Sequence, residues 1–351
     1  MITNMISKNN VILLAGGLIA LFGVYAVLKQ NIHLRQNDLI SSPQSMFSTP
    51  ATSSAPAITA TSSSPKPAAV AKNNPPSTVK AMPVPNHLLW GAYVGDGERN
   101  LSNFEALVGK KLDIVADFEG WDTEFPSYLK TSVGQAGKTL LIFWEPDFGY
   151  DLINNGSKDK YIKQFVAEAK AYKYPVIMVP FAEMNLNEEA WGYGQNRNSA
   201  ASFKKAWIRI HNLFAGVKNV KFGLAFNNVS MPDSKDNEYA DYYPGSAYVD
   251  YVGVDGFDFG DPHLTFGQIF DEPMKELAQF NKPIYIFSMG AISGPGKAAW
   301  ITDGLGKRIS AYKNVVGWIW FNESKMEEGR WIDWTVNSDG NSLRAFKSIL
   351  P

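Results

Sequence analysis

Short apolar runs and amphipathic stretches alternate along most of this chain. Eight runs predict buried parallel strands: 88–94 (LLWGAYV), 112–117 (LDIVAD), 138–144 (KTLLIFW), 175–181 (PVIMVPF), 221–226 (KFGLAF), 250–256 (DYVGVDG), 283–288 (PIYIFS) and 315–321 (VVGWIWF). Each is too short for a helix and rich in Val, Ile and aromatic residues. Stretches with helical periodicity lie between them, at 159–173 (DKYIKQFVAEAKAYK), 199–216 and 265–280. Eight strand–helix units within residues 86–351 fit an α/β fold of the (β/α)8 TIM-barrel type. A doubly wound open sheet is the alternative, but no Gly-rich phosphate loop follows the first run.

The first 85 residues follow a different pattern. After a short tail (1–10), residues 11–28 read VILLAGGLIALFGVYAVL, an uncharged run at the short end of what spans a bilayer as a helix. A signal peptide cleaved near Val24-Tyr25-Ala26 is the competing reading. The apolar run continues past that point, which favours a retained transmembrane anchor. Lys8 precedes the run while Lys29 and Arg35 follow it, so flanking charge sets no orientation. Residues 29–85 form the next segment, rich in Ser, Thr, Ala and Pro from about Leu39 onward. Large apolar side chains are almost absent there, so the segment is expected to be a disordered tether spanning ~35–40 Å. The expected arrangement is a membrane-anchored protein with residues 86–351 outside the cytoplasm, as a monomer.

Composition narrows the chemistry. With 33 basic and 34 acidic residues the net charge is -1, which leaves no electrostatic footprint for nucleic acid. The absence of cysteine excludes disulfides, thiolate metal sites and cysteine nucleophiles. Four histidines without an H-E-x-x-H pattern argue against a His-rich metal site, and no cofactor motif is present. All ten tryptophans fall between Trp90 and Trp334. They serve either a large core or a cleft in which flat rings pack on sugar faces.

In a barrel the chemistry gathers at the C-terminal ends of the strands. Those ends carry Glu119 and Trp121, Trp144 and Glu145, Glu183 and Asn185, Asn227 and Asn228, Asp255 and Asp258, Ser288, and finally Trp320 and Asn322. Carboxylates, amides and tryptophans on one rim describe a glycan cleft better than a phosphate or metal site. Glu183 follows a fully apolar run, where desolvation would raise its pKa toward that of a general acid.

Three segments resemble glycoside hydrolase family 26, a family of β-mannanases with some β-1,3-xylanases and mixed-linkage β-glucanases. P-F-A-E-M-N (180–185) resembles the family's H-E-M-N acid motif. Y-Y-P-G-S-A-Y-V-D-Y-V-G-V-D-G-F (242–257) resembles its Y-Y-P-G-D-x-Y-V-D-x-V-G-x-D-x-Y segment. W-F-N (320–322) resembles the end of its eighth strand, where a tryptophan faces the sugar. The resemblance covers essentially all of 86–351 and implies a polysaccharide substrate. It implies Glu183 as general acid, with Trp121, Trp144, Asn185, Phe257 and Trp320 as substrate-binding residues.

The departures from that pattern are concerted. Residues 282–290 read K-P-I-Y-I-F-S-M-G where the family has K-P-I-x-I-x-E-x-G, so Ser288 holds the nucleophile's position. Phe257 replaces the tyrosine that hydrogen-bonds the nucleophile, and Ala182 replaces the histidine before the acid. A glutamate that is absent needs no tyrosine to orient it.

One expectation is therefore a glycan-processing enzyme with a rebuilt site, in which Asp258 supplies the second carboxylate. Ser288 itself as nucleophile would need a base, and His263 is the candidate for that role. A non-hydrolytic polysaccharide-binding protein is the second expectation, and a structural barrel without a glycan role the third. The domain division makes its own prediction. Limited proteolysis should cut within 40–85 and leave a stable fragment beginning near Asn86. Cleavage concentrated within the barrel would refute that division.

Overall fold

The computed structural model describes residues 87–95, 98–327 and 330–351. Eight parallel strands close into a barrel in sequence order. They are β1 (Leu89–Tyr93), β2 (Ile114–Gly120), β3 (Thr139–Glu145), β4 (Val176–Pro180), β5 (Val220–Asn227), β6 (Tyr251–Asp258), β7 (Ile284–Ala291) and β8 (Val315–Phe321). The ring closes through β1 and β8, with Leu89 opposite Gly317 and Tyr93 opposite Phe321. Every predicted run overlaps one of these strands, and the (β/α)8 expectation holds. The predicted anchor (11–28) and tether (29–85) lie outside the described residues. Among the described residues no helix is long and apolar enough to cross a membrane.

Among the described residues, six helices of eight residues or more flank the strands: α1 (Glu98–Val108), α2 (Asp159–Tyr172), α3 (Ala200–Leu213), α4 (Phe266–Ala278), α5 (Lys297–Gly304) and α6 (Gly340–Ile349). Of these, α2, α3 and α4 match the predicted helical stretches. Three of the six start at side-chain caps. Ser199 with Ser202 begins α3, Thr265 with Gln268 begins α4, and Asp339 begins α6. Each cap satisfies backbone N–H groups that have no partner within the helix. An antiparallel hairpin, β9 (Ser324–Glu327) and β10 (Arg330–Asp333), follows β8.

Side-chain alternation divides the core into two layers. One set of strand positions points inward, including Ile114, Ala116, Leu141, Phe143, Ile177, Val179, Ala225, Tyr285, Phe287 and Ile319. The alternate set, including Val115, Ile142, Trp144, Met178, Leu224, Val254 and Trp320, packs outward with helix residues such as Phe165, Phe203 and Phe346.

The interior is filled by pairing large rings with glycines. Tyr285 and Phe287 on β7 lie 5.4 Å apart between ring centroids and are fully buried. A Cβ at Gly223 would stand 2.5 Å from Phe287, and one at Gly317 would stand 2.5 Å from Tyr285. Gly253 is the tightest of these positions, because its Cβ would meet the Tyr285 carbonyl at 2.2 Å and the Phe287 ring at 2.4 Å. A backbone carbonyl in a closed sheet cannot move aside cheaply. Gly253→Ala should therefore destabilise the barrel by about 1–3 kcal/mol or more through overpacking. Urea denaturation measures this, and an unchanged midpoint would contradict the packing.

Candidate active site

The C-terminal mouth of the barrel holds a cavity lined by Phe118, Phe143, Glu145, Ala182, Glu183, Glu189, Trp191, Asp255, Phe257 and Ser288. Its volume for water-sized occupants is about 20 Å³. Strand alternation supplies several of these residues directly. Glu145 continues the inward series Leu141, Phe143 on β3, and Asp255 and Phe257 continue Tyr251, Gly253 on β6.

Two local breaks in the alternation supply the rest. After β4, Phe181 and Glu183 adopt left-handed backbone angles, with φ of 58° and 59°. Such angles are strained for bulky residues and cluster at functional sites. Phe181 thereby turns outward against Tyr150 and Phe203, while Ala182 and Glu183 both face the cavity. The second break is a β-bulge in β7. Val254 pairs with Ile286 but Asp255 pairs with Ser288, so Phe287 is an extra residue. Phe287 and Ser288 consequently both point inward, and Met289 returns to the outer layer.

A relay of amides fixes Glu183. Asn227 donates from Nδ2 to Glu183 Oε1 at 2.9 Å. Asn185 grips Asn227, its Oδ1 accepting the Asn227 N–H at 2.9 Å and its Nδ2 donating to the Asn227 carbonyl at 3.1 Å. Its Nδ2 also bonds the Val229 carbonyl and Ser230 Oγ. Tyr239 donates to the same Asn227 carbonyl at 2.6 Å.

Burial raises the cost of charge throughout the cavity. Glu145 is pushed well up by desolvation, then by Glu189 and Glu183, with Lys325 opposing. Asp255 is pushed well up by desolvation, then by Glu183 and Glu145, against a hydrogen bond from the Ser288 backbone. Desolvation, Glu183 and Glu188 raise Glu189 to about 7, again with Lys325 opposing. Four carboxyls in one small space cannot all ionise together. Among the described residues no group of three or more His, Cys, Asp or Glu is arranged to hold a metal ion.

The structure places several other expected residues away from this cavity. Asp258 has the outward parity of Val252 and Val254 and does not line the cavity. Its Oδ1 accepts the N–H groups of Gly260 and Leu264, and its Oδ2 pairs with His263 Nδ1 at 2.9 Å, so it organises the loop after β6. His263 is thereby held at Asp258 and does not line the cavity that contains Ser288. Trp144 and Trp320 are likewise outward and fully buried. Trp144 donates to Tyr161 Oη and stacks on Trp121 and Phe165. Trp320 donates to the Trp334 carbonyl and packs on Phe346. Trp121 stacks on Trp144 outside the cavity, and Asn185 is wholly buried with its amide engaged.

Of the expected residues, the structure brings together Glu183, Phe257 and Ser288, with Ala182 beside them. Phe257 forms an apolar wall against Trp334 and Phe321, at 5.5 and 5.8 Å between ring centroids. The site residues missed were Glu145, Glu189, Asp255 and Trp191. Glu145 and Asp255 stood among the rim residues, and counting parity from the apolar core would have selected them. Glu189 and Trp191 lie in the loop after β4, where N-E-E-A-W (187–191) was the available signal. Trp191 is held there by its indole N–H, which donates to the Ala182 carbonyl at 2.8 Å.

The shift at Glu189 has a consequence for stability. Its folded pKa of about 7 lies above the ordinary 4.5, so between those values the folded chain holds a proton that the unfolded chain releases. Stability therefore falls as pH rises from about 4.5 through about 7. Glu189→Gln, which stays neutral, should lessen that fall, while Glu145 and Asp255 still contribute in the same direction. Denaturation midpoints at about pH 5 and about pH 7.5 test this, and an unchanged difference between them would count against a buried, protonated Glu189.

The architecture and residues agree with comparisons to known proteins. Residues 145–318 match the model of glycosyl hydrolase family 26, a span running from Glu145 through Glu183, Asp255 and Ser288 into β8. Endoglucanase H of Acetivibrio thermocellus is 33% identical over 280 residues, covering 74% of this chain and 30% of that protein. A mannan endo-1,4-beta-mannosidase of Bacillus subtilis strain 168 is 29% identical over 126 residues, covering 35% of this chain and 32% of that protein. The chain thus spans about a third of the length of these relatives. Among solved structures, a family 26 beta-mannanase from Bacteroides ovatus superposes with a TM-score of 0.58 at 16% identity, covering 75% of this chain and 88% of that one. The YdhT protein of Bacillus subtilis gives 0.53 at 16% identity, over 74% of this chain and 85% of that one. At such identities these structures speak for the fold, and the sequence matches carry the assignment: the chain belongs to glycosyl hydrolase family 26.

Proposed function

We propose that this chain acts on a β-linked polysaccharide of the β-mannan type or a related exopolysaccharide, through the cavity at the barrel mouth. One observation carries the reading. A buried carboxyl, Glu183, is fixed by Asn227 in a cavity that also presents the Trp191 ring. A positioned carboxyl can protonate a leaving oxygen, and an aromatic face can pack on a pyranose. The endoglucanase and mannosidase names of the relatives support the same class of substrate. We further read residues 11–28 as a membrane anchor and the barrel as extracytoplasmic.

The site is read as an altered one. Retaining hydrolysis uses two carboxyls ~5–5.5 Å apart, one of which bonds to the anomeric carbon. Ser288 offers a neutral hydroxyl at the corresponding position, and Phe257 offers no hydroxyl to orient a carboxylate. Ordinary double displacement is therefore expected to be very slow. That same substitution favours the second reading, a barrel that grips polysaccharide without cutting it.

The test is to incubate the full chain with β-mannan, β-glucan and β-xylan while following both binding and new reducing ends. Binding of one glycan class is expected. Trp191→Ala should weaken it by about 1 kcal/mol, the scale of an aromatic packing contact. Where cleavage is seen, Glu183→Gln should reduce its rate by ~10²–10⁴-fold. Neither binding nor cleavage of any of the three would overturn the glycan reading.

A further inference from the structure

We propose that the solvent face of the β9–β10 hairpin, Trp331 with Met326, is a second sugar-binding platform, which takes a pyranose of the same polysaccharide some residues along from the cavity. This rests on the glycan reading of the cavity and adds to it a point of attachment outside the barrel mouth.

Three large apolar side chains are exposed among the described residues: Tyr128, Met326 at 59% and Trp331 at 64%. Tyr128 is tied down by its hydroxyl, which donates to Asp117 at 2.9 Å. The other two stand directly opposite each other, with Trp331 in register with Met326 across the hairpin. Directly opposed residues project from the same face and lie side by side. The pair is therefore one apolar ledge, and it leaves in water much of an indole that could bury ~150–250 Å².

The ledge is held from behind. Strand alternation puts Lys325 and Ile332 on the face opposite Met326 and Trp331. Ile332 is fully buried in the apolar layer with Phe257 and Trp334, and Lys325 Nζ lies 5.2 Å from the centre of the Phe321 ring. At the hairpin's base the Asp333 carbonyl accepts the Ser293 N–H at 2.8 Å, and the Glu323 carbonyl accepts the Trp334 N–H at 2.9 Å. A lone two-stranded hairpin is marginal in water, so these ties are what fix it. A ring presented in this way binds with little further ordering cost.

Position and size identify the occupant. The hairpin leaves the end of β8, at the same end of the barrel as the cavity, and Lys325 on its inner face acts on the charges of Glu145 and Glu189. One strand pair thus separates the ledge from the site. The cavity itself holds about 20 Å³, room for about one water, so a bound polysaccharide lies mostly outside it and must cross the rim. Two side chains fall far short of the ~800 Å² per partner that a stable protein interface buries. They match one or two sugar rings, whose apolar faces pack on a flat indole.

The experiment compares chain lengths. Calorimetry measures binding of the full chain to β-1,4-mannotriose and mannohexaose, and to mixed-linkage β-glucan oligosaccharides of the same two lengths. Sedimentation of each protein is followed in parallel. Lengthening the sugar should tighten binding to the unmodified chain. Trp331→Ala should remove about fivefold of that gain, the scale of one aromatic packing contact, while affinity for the trisaccharide stays the same. Trp331→Phe, which keeps a ring, should retain most of the gain. An undiminished gain in folded Trp331→Ala, or an equal loss at both lengths, would overturn the platform and leave the glycan reading of the cavity intact. A dimer that Trp331→Ala splits would assign the face to a second copy and overturn it too. No binding of either glycan at either length would remove both readings.

Discussion

A closed parallel barrel gives each strand residue two places to go, and the choice alternates along the strand. That constraint organises this molecule. Inward positions meet other inward positions across a narrow interior, which is why Tyr285 and Phe287 require Gly223, Gly253 and Gly317 opposite them. Outward positions meet the helices, and most of the large aromatic side chains lie there, including Trp144, Trp207 and Trp320. The candidate site depends on the same rule, and on the two places where it fails. At Ala182–Glu183 and at Phe287–Ser288, consecutive residues turn inward. Without those breaks, Ala182 and Glu183 could not share a wall, nor could Ser288 stand beside Asp255.

The electrostatics follow from this crowding. Glu145, Glu183, Glu189 and Asp255 line one buried cavity, where Glu183 raises the cost of charge on the other three, Glu189 adds to it at Glu145, and Glu145 adds to it at Asp255. Lys325 on β9 is the cation that opposes this at Glu145 and Glu189, so the hairpin after β8 belongs to the electrostatics of the mouth. The opposite face of that hairpin is exposed at Met326 and Trp331. Burial and repulsion together keep part of the cluster protonated near neutral pH, the condition under which one carboxyl can donate a proton while another accepts one.

Ala182, Phe257 and Ser288 border one cavity with Glu183. Phe257 is also part of an apolar layer with Phe259, Phe321, Ile332 and Trp334. A phenylalanine suits that layer, because a buried hydroxyl without a partner would be costly there. Ala182 and Phe257 thus give the cavity two apolar surfaces, while Ser288 and Glu183 give it polar ones.

The sequence by itself determined the architecture. Eight apolar runs of strand length, separated by helical periodicity, specify a (β/α)8 barrel because each run must be buried on both faces. The same runs marked the rim, and the motif around Glu183 marked one of the carboxyls that line the cavity. Within each run, however, composition says only that a residue is apolar or polar, not which face it takes. Asp255 and Asp258 are both acids at the end of β6, and Trp320 and Phe321 are both aromatic at the end of β8. Only closure of the barrel separated them, sending Asp255 into the cavity and Asp258 to the loop at His263, and turning Trp320 outward onto Phe346. Parity counted along a single strand could have anticipated that much. The bulge at Phe287 and the left-handed turns at Phe181 and Glu183 could not be counted in that way, since both reset the parity. They are fixed by the fit of one strand against its neighbours, which exists only in the folded barrel.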